Sequence, residues 1–272
     1  FLSDPIVDFG LNNLSLISGL AVNASVSPEE GSIVVFRSTD GGHTYSDAII
    51  VSTEVGMGIF DDKEYLAIDK SPESPFEGNA YISYTRFTPN PILGRNRQIL
   101  FQRSLDGGLT WEPPVPITPV IPIYPFVQGS AVQVGPKGEV YVAWMEFGVF
   151  TGSFQIRRSD DGGVTFGPTV TVSPFFLVPF IFDPEVPNWE FRVPTFSFLA
   201  VDRSGCFGSA EFARVYAVWQ AEVDGNAHIF LSFSDDGGVT WTAPIRVDNS
   251  PENTQNFFPF VAVSPFSGTV TV

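Results

Sequence analysis

The 272-residue chain carries 14 lysines and arginines against 30 aspartates and glutamates, a formal charge of −16, and 43% hydrophobic residues. That length buries a sizeable core as one large all-β domain or two smaller ones, and that charge argues against a nucleic-acid backbone as partner. No apolar run approaches the roughly 20 residues of a membrane helix, so no membrane span is expected, and the lone Cys206 forms no internal disulfide and reads as a small buried thiol.

The chain begins at Phe1 without an initiator Met or a charged-then-apolar leader, and Val272 ends a strand-like run, so both ends read as cut. Strand-like runs of apolar residues fall at 4–8 and 14–22, then at 33–36, leading into RSTDGGHTY (37–45), then at 48–51. The same set recurs as 65–69, 80–84 and 99–102, RSLDGGLTW (103–111), and 115–118. It recurs again as 131–134, 140–144 and 154–157, RSDDGGVTF (158–166), and 169–172. A fourth set is 198–202, 215–219 and 229–232, FSDDGGVTW (233–241), and 245–247; the pair 260–263 and 270–272 opens a fifth. Helical periodicity competes nowhere.

The four boxes share Ser-x-Asp-Gly-Gly-x-Thr-aromatic, with Asp40, Asp106, Asp161 and Asp236 spaced by 66, 55 and 75 residues, so whole units repeat with variable loops. Four antiparallel strands per unit make a propeller blade, giving an all-β architecture with blades at about 1–55, 56–120, 121–174 and 175–250 and the start of another at 251–272. The box between third and fourth strands resembles the Asp-box, or bacterial neuraminidase, repeat of sialidase-like β-propellers. That resemblance implies a ring of six or seven blades of which this chain is a part, with the remaining blades as its partner, and a secreted or cell-surface location.

Acid, glycine and aromatic packed into nine residues suit either a metal loop or a structural turn. A calcium loop wants three or more oxygen ligands close in sequence, and the boxes at 158–166 and 233–241 supply two adjacent acids at most. Gly-Gly reaches positive φ cheaply, and an Asp carboxylate accepts hydrogen bonds from its own turn. Ser38, Asp40, Ser104, Asp106, Trp111, Ser159, Asp161, Ser234, Asp236 and Trp241 are therefore read as structural, the aspartates locking the turns and the rings pinning the hairpins. His43 and His228 lack metal-ligand spacing, and no phosphate loop or nucleophile elbow occurs, so neither metal nor cofactor is expected.

Because strands alternate direction, the boxes occupy one face, and function is expected on the other, where the fourth-to-first and second-to-third connections lie. The fourth-to-first connections at 117–127, 173–189 and 250–259 are rich in proline, which denies them strand pairing, and in aromatics, which demand cover: Tyr124, Phe175, Phe176, Phe180 and Trp189. They either pack over a central tunnel or present an apolar surface to a glycan or protein. The second-to-third connections carry Arg86 and Arg95, then Glu146, then Glu222 with Asp224.

The sialidase resemblance adds a carboxylate-binding arginine in a Phe/Tyr-Arg-Ile-Pro motif before an inner strand. Phe191-Arg192-Val193-Pro194 has that placement, making Arg192 the carboxylate binder and Glu222 or Asp224 the acid. The motif departs from the family in following three boxes, and neither an arginine triad nor a Tyr–Glu pair is found by motif; Arg192 equally serves to brace the blade or pair with Glu190 or Asp183. The readings that follow are a noncatalytic glycan- or protein-binding module, a sialidase-type hydrolase completed by residues elsewhere, and a purely structural module. Asn13-Leu-Ser15 and Asn23-Ala-Ser25 match glycosylation acceptors.

Overall fold

The second strand of each repeat, such as Ala80-Tyr-Ile-Ser-Tyr84 or Val140-Tyr-Val-Ala-Trp144, is apolar on both of its faces, the signature of a strand covered on both sides. The computed structural model describes residues 2–23, 30–52, 58–123, 125–176, 193–209, 212–251 and 253–272, the side chains at 23, 30 and 176 aside, and these residues contain strands and turns without a helix. Residues 80–87 and 140–145 are buried throughout.

The first sheet comprises β1 (Leu2–Phe9), β2 (Ser15–Asn23), β3 (Glu30–Ser38) and β4 (Ile49–Ile50), each antiparallel to the next. The second comprises β5 (Phe60–Ile68), β6 (Ala80–Asn90), β7 (Gly94–Ser104) and β8 (Val115–Pro116). One parallel pairing, Gly31 with Phe60, ties β3 to β5. The third sheet holds β9 (Phe126–Val134), β10 (Val140–Phe147), β11 (Thr151–Ser159) and β12 (Val170–Phe176). The fourth holds β13 (Phe198–Val201), β14 (Val215–Val223), β15 (Asn226–Ser234) and β16 (Ile245–Arg246), and β17 (Ala262–Val263) pairs with β18 (Val270–Thr271). This meandering order of four-stranded antiparallel sheets is the blade plan of a β-propeller.

By its internal contacts the chain falls into two compact units: Phe1–Ile123 with Val127–Val142 and Ser159–Gly167, and Tyr124–Phe126 with Ala143–Arg158 and Pro168–Val272. The first unit buries Leu16, Ile33, Val35, Leu66, Ile68, Ile82 and Tyr84 in one cluster, with Trp111 packed on its edge. The second buries Tyr216, Val218, Ile229, Leu231 and Val261.

Two expectations need correction. The chain from Ser173 to Phe176 does pair as strand, with Pro174 opposite Ser153, because β12 lies at the sheet edge, where a missing N–H breaks no ladder. Cys206 is exposed rather than buried, in a turn beside Gly205 at φ 71°.

The four hairpins share one hydrogen-bond pattern. In the third, Ser159 Oγ donates to Asp161 Oδ1 (2.7 Å) and accepts from Gly163 N (2.8 Å), while Thr165 N and Oγ1 donate to the two carboxylate oxygens at 2.9 and 2.6 Å. The same bonds run from Ser38 and Thr44 around Asp40, from Ser104 and Thr110 around Asp106, and from Ser234 and Thr240 around Asp236. Burial pushes the Asp161 carboxyl up, but the Thr165, Ser159 and backbone donors outweigh it and hold it at about 2. Asp106 and Asp236 are lowered in the same way, and Asp40, on the exposed side of its turn, is lowered by its Thr44 and Ser38 donors.

The glycines have a second reason. A Cβ on Gly108 would stand 2.8 Å from Leu16, and one on Gly163 2.6 Å from the Phe101 ring, in each case on the preceding blade. The residue just before each of the first three box serines is an arginine that reaches the next box: Arg37 Nε donates to Gly107 O (2.8 Å), Arg103 Nη1 to Gly162 O (3.1 Å) and Arg158 Nη1 to Gly237 O (2.9 Å). The second, third and fourth boxes are thus turn locks and also the acceptors of a clamp from the blade before them. In the fourth box Phe233 replaces the arginine, and the Arg214 guanidinium lies 4.0 Å from its ring centroid.

Candidate functional site

At the sheet ends away from the boxes lie the starts of β5 and β9 and the β6–β7, β10–β11 and β14–β15 connections. In the first unit, β5 opens Phe60-Asp-Asp-Lys-Glu-Tyr65. Its pairing with β6 slips between Asp62 and Tyr65, where Lys63 adopts φ 55°, and β1 carries a matching slip with Asp4 at φ 53°. Such left-handed conformations cost an ordinary residue about 1–2 kcal/mol. They turn a run of charged residues into a convergent group. Arg86, expected on the rim, is instead 5% exposed on β6 and forms a double hydrogen bond to Asp61, each arm 2.8 Å. This pair leaves the guanidinium committed to the protein rather than open to a ligand.

Gln128 of β9 donates to Asp62 Oδ2 at 2.8 Å. Glu64 is 2% exposed, and its carboxyl oxygens have no hydrogen-bond partner outside the residue's own backbone. Burial, reinforced by Asp4 and Asp62 and opposed by the group's own backbone bond and by Lys63, pushes the carboxyl up to about 8. Asp62 is also raised, by burial first and Asp4 second. Sequence reasoning passed over these residues because a charged run ordinarily marks a solvated surface. The available signal was position: Asp-Asp-Lys-Glu runs without a break into the apolar inner strand.

In the second unit two predicted residues come together. Glu146, on β10, and Phe175, on β12, line an open cavity of about 620 Å³ with Pro125, Thr151, Ser153 and the backbone of Gly148 and Gly152. Gln155 Nε2 donates to Ser153 Oγ (2.8 Å) and reaches Glu146 Oε2 at 3.5 Å, so the Glu146 carboxylate keeps most of its acceptor capacity. An apolar wall with one carboxylate and exposed backbone edges suits a ligand with one apolar face and several hydroxyls.

Glu222 lies at the β14–β15 turn and accepts from Gly225 N, a bond that closes the turn in which Asp224 sits at φ 52°. His228 is buried, its Nδ1 3.2 Å from Asp248, which also accepts from Arg246 and Ile229 N. Arg192, Tyr124, Phe180 and Trp189, and the side chain of Phe176, lie outside the described residues. Among the described residues no three His, Cys, Asp or Glu side chains are grouped to hold a metal ion.

No protein-family profile and no curated protein matches the sequence. Solved structures do. A point mutant of the NanB sialidase of Streptococcus pneumoniae matches with TM-score 0.57 and 11% identity over 92% of this chain and 52% of that one. The α-L-arabinanase of Penicillium chrysogenum, complexed with arabinobiose, matches with TM-score 0.57 and 15% identity over 99% and 74%. The GH93 α-L-arabinofuranosidase of Fusarium graminearum, also with arabinobiose, matches with TM-score 0.56 and 15% identity over 96% and 67%. The chain spans about half the length of the sialidase. At these identities the likeness carries the fold, a sialidase-like β-propeller, and nothing finer.

Proposed function

We propose that the chain is an Asp-box propeller module that binds glycan without catalysing its cleavage, at the cell surface or in secreted form. The carrying observation is the cavity that unites Phe175 and Glu146 on the side of the sheets away from the boxes. An aromatic ring offers a surface to the C–H face of a sugar, and a carboxylate accepts from paired hydroxyls. The structural neighbours named for sialidase, arabinanase and arabinofuranosidase activity support a carbohydrate ligand. The Asp-box identity rests on the four repeated sequences and their shared hydrogen bonds. Calorimetric titration with arabinobiose, lactose and 3′-sialyllactose tests the reading: at least one binds, and Phe175→Ala weakens it about tenfold, the loss of roughly 1.4 kcal/mol expected for an aromatic wall. Absence of binding across the panel refutes it.

Exo-sialidase-type hydrolysis, with Arg192 as carboxylate binder and further catalytic residues outside this chain, is the second reading. It is favoured by the Phe191-Arg192-Val193-Pro194 motif together with the likeness to the NanB sialidase. Release of a fluorogenic leaving group from a sialoside, abolished by Arg192→Ala, would establish it in place of the first.

A further inference from the structure

We infer that the tip of the β10–β11 connection, Val149-Phe150, is a second sugar platform at the rim of the Phe175–Glu146 cavity, so that the site takes an oligosaccharide of two or more units. The inference rests on the glycan-binding reading and adds to it the length of the ligand and the residue that reads it.

The turn carries the first part. Gly148 N donates to Thr151 O at 2.7 Å, closing a connection of two residues, Val149 and Phe150. Two-residue connections between antiparallel strands favour Asn, Asp and Gly, which reach positive φ cheaply. The fourth sheet, in the same unit, follows that rule at the corresponding place: Asp224 at φ 52° and Gly225 at φ 82° join Val223 to its partner Asn226. The third sheet departs from it. Neither Val149 nor Phe150 has a positive φ, and the turn closes through Gly148, where a Cβ would stand 2.8 Å from Thr151 O. Two large apolar side chains thus occupy a tip where turn geometry asks for small polar ones. Phe150 is 79% exposed and Val149 64%.

Position carries the second part. A single exposed apolar residue is ordinary on a protein surface, but this pair stands between two residues of a cavity wall. Gly148 and Thr151, on either side of the tip, both line the cavity, as do Gly152 and Ser153 that follow on β11. All of these residues belong to the second unit. The cavity is open and measures about 620 Å³, within the roughly 300–1,000 Å³ of pockets that hold drug-sized ligands and a size class above one sugar ring. The chemistry then selects the occupant. A purely apolar partner would cover Phe150 and leave the Glu146 carboxylate, which keeps most of its acceptor capacity, without donors. An oligosaccharide serves both: one unit gives its hydroxyls to Glu146 beside Phe175, and the next lays its C–H face on Phe150 while its hydroxyls stay in water.

The test is titration of the full chain with arabinose and arabinobiose, with galactose and lactose, and with 3′-sialyllactose, by calorimetry in the parent, Phe150→Ala, Phe150→Trp and Phe175→Ala. Circular dichroism checks that each variant is folded. The parent is expected to bind the disaccharide of at least one series about three- to tenfold more tightly than its monosaccharide, the scale of one aromatic contact. Phe150→Ala removes that gain. Phe150→Trp keeps it, and the added indole changes its emission on binding the disaccharide and not the monosaccharide. Phe175→Ala weakens both lengths by the same factor. Equal affinity for the two lengths in the parent, or a gain that survives in Phe150→Ala, overturns the inference; loss of affinity in Phe175→Ala then leaves the glycan-binding reading standing. Failure of every sugar to bind overturns both together.

Discussion

Replacing Glu64 by glutamine should stabilise the protein at alkaline pH and do little at acid pH. In the folded state the carboxyl titrates at about 8, against 4.5 for an unperturbed glutamate. Between those values the folded chain holds a proton that the unfolded chain has released. Stability therefore falls as pH rises across that window, at about 1.4 kcal/mol per pH unit, and reaches its full penalty above the folded value. The interval corresponds to roughly 5 kcal/mol, a large share of the 5–15 kcal/mol typical of a domain. Glutamine keeps the shape and removes the ionisation. Urea unfolding followed by tryptophan fluorescence should give the variant and the parent similar stabilities near pH 4.5 and a gap of about 4 kcal/mol in favour of the variant near pH 8. A difference that does not change with pH would refute the reasoning, because it would mean that Glu64 exchanges no proton on folding.

The box carboxylates should show the opposite dependence. Asp161 is held at about 2, below the ordinary 3.8, so it stabilises above that ordinary value and loses its contribution as pH falls through about 2; after allowance for its partial exposure, Asp161→Ala should cost about 1–2 kcal/mol at neutral pH and almost nothing near pH 2, read from urea midpoints. Arg103→Met removes the clamp on Gly162 O and the 2.6 Å bond to Glu112. It should cost about 1–2 kcal/mol and speed amide exchange at Val164 and Thr165, measured by hydrogen exchange.

The strands and boxes were legible in the sequence because both depend on local, repeated chemistry: two-sided apolar runs, and a serine, aspartate and threonine that bond within one turn. The clamp arginines were visible in the repeat, since Arg37, Arg103 and Arg158 precede the box serine, but their acceptors belong to the following repeat, and a contact at that range leaves no local trace. Arg86 read as a rim cation because its partner, Asp61, is 25 residues away on the neighbouring strand. The pairing of Pro174 was missed because proline excludes a residue from the middle of a sheet, not from its edge. Glu64 was missed because a charged residue normally pays too much for burial, and nothing in Asp-Asp-Lys-Glu says that the bulge at Lys63 will turn the last of them inward.

The same functional group thus behaves in opposite ways at the two ends of a blade, and the supply of donors decides which. In a Gly-Gly turn the backbone amides are released from the ladder and converge on one carboxylate, joined by a serine or threonine hydroxyl; charge there is over-satisfied, and Asp161 stays ionised to about pH 2. At Glu64, on an inner strand, no serine or threonine hydroxyl and no Gly-Gly turn converges on the carboxyl, burial and the neighbouring Asp4 and Asp62 prevail, and it keeps its proton to about pH 8. A satisfied carboxylate has little left to offer a ligand and holds the hairpin closed. An unsatisfied carboxyl destabilises the protein once it ionises, so the same side chain stabilises one end of the blade and weakens the other as pH rises.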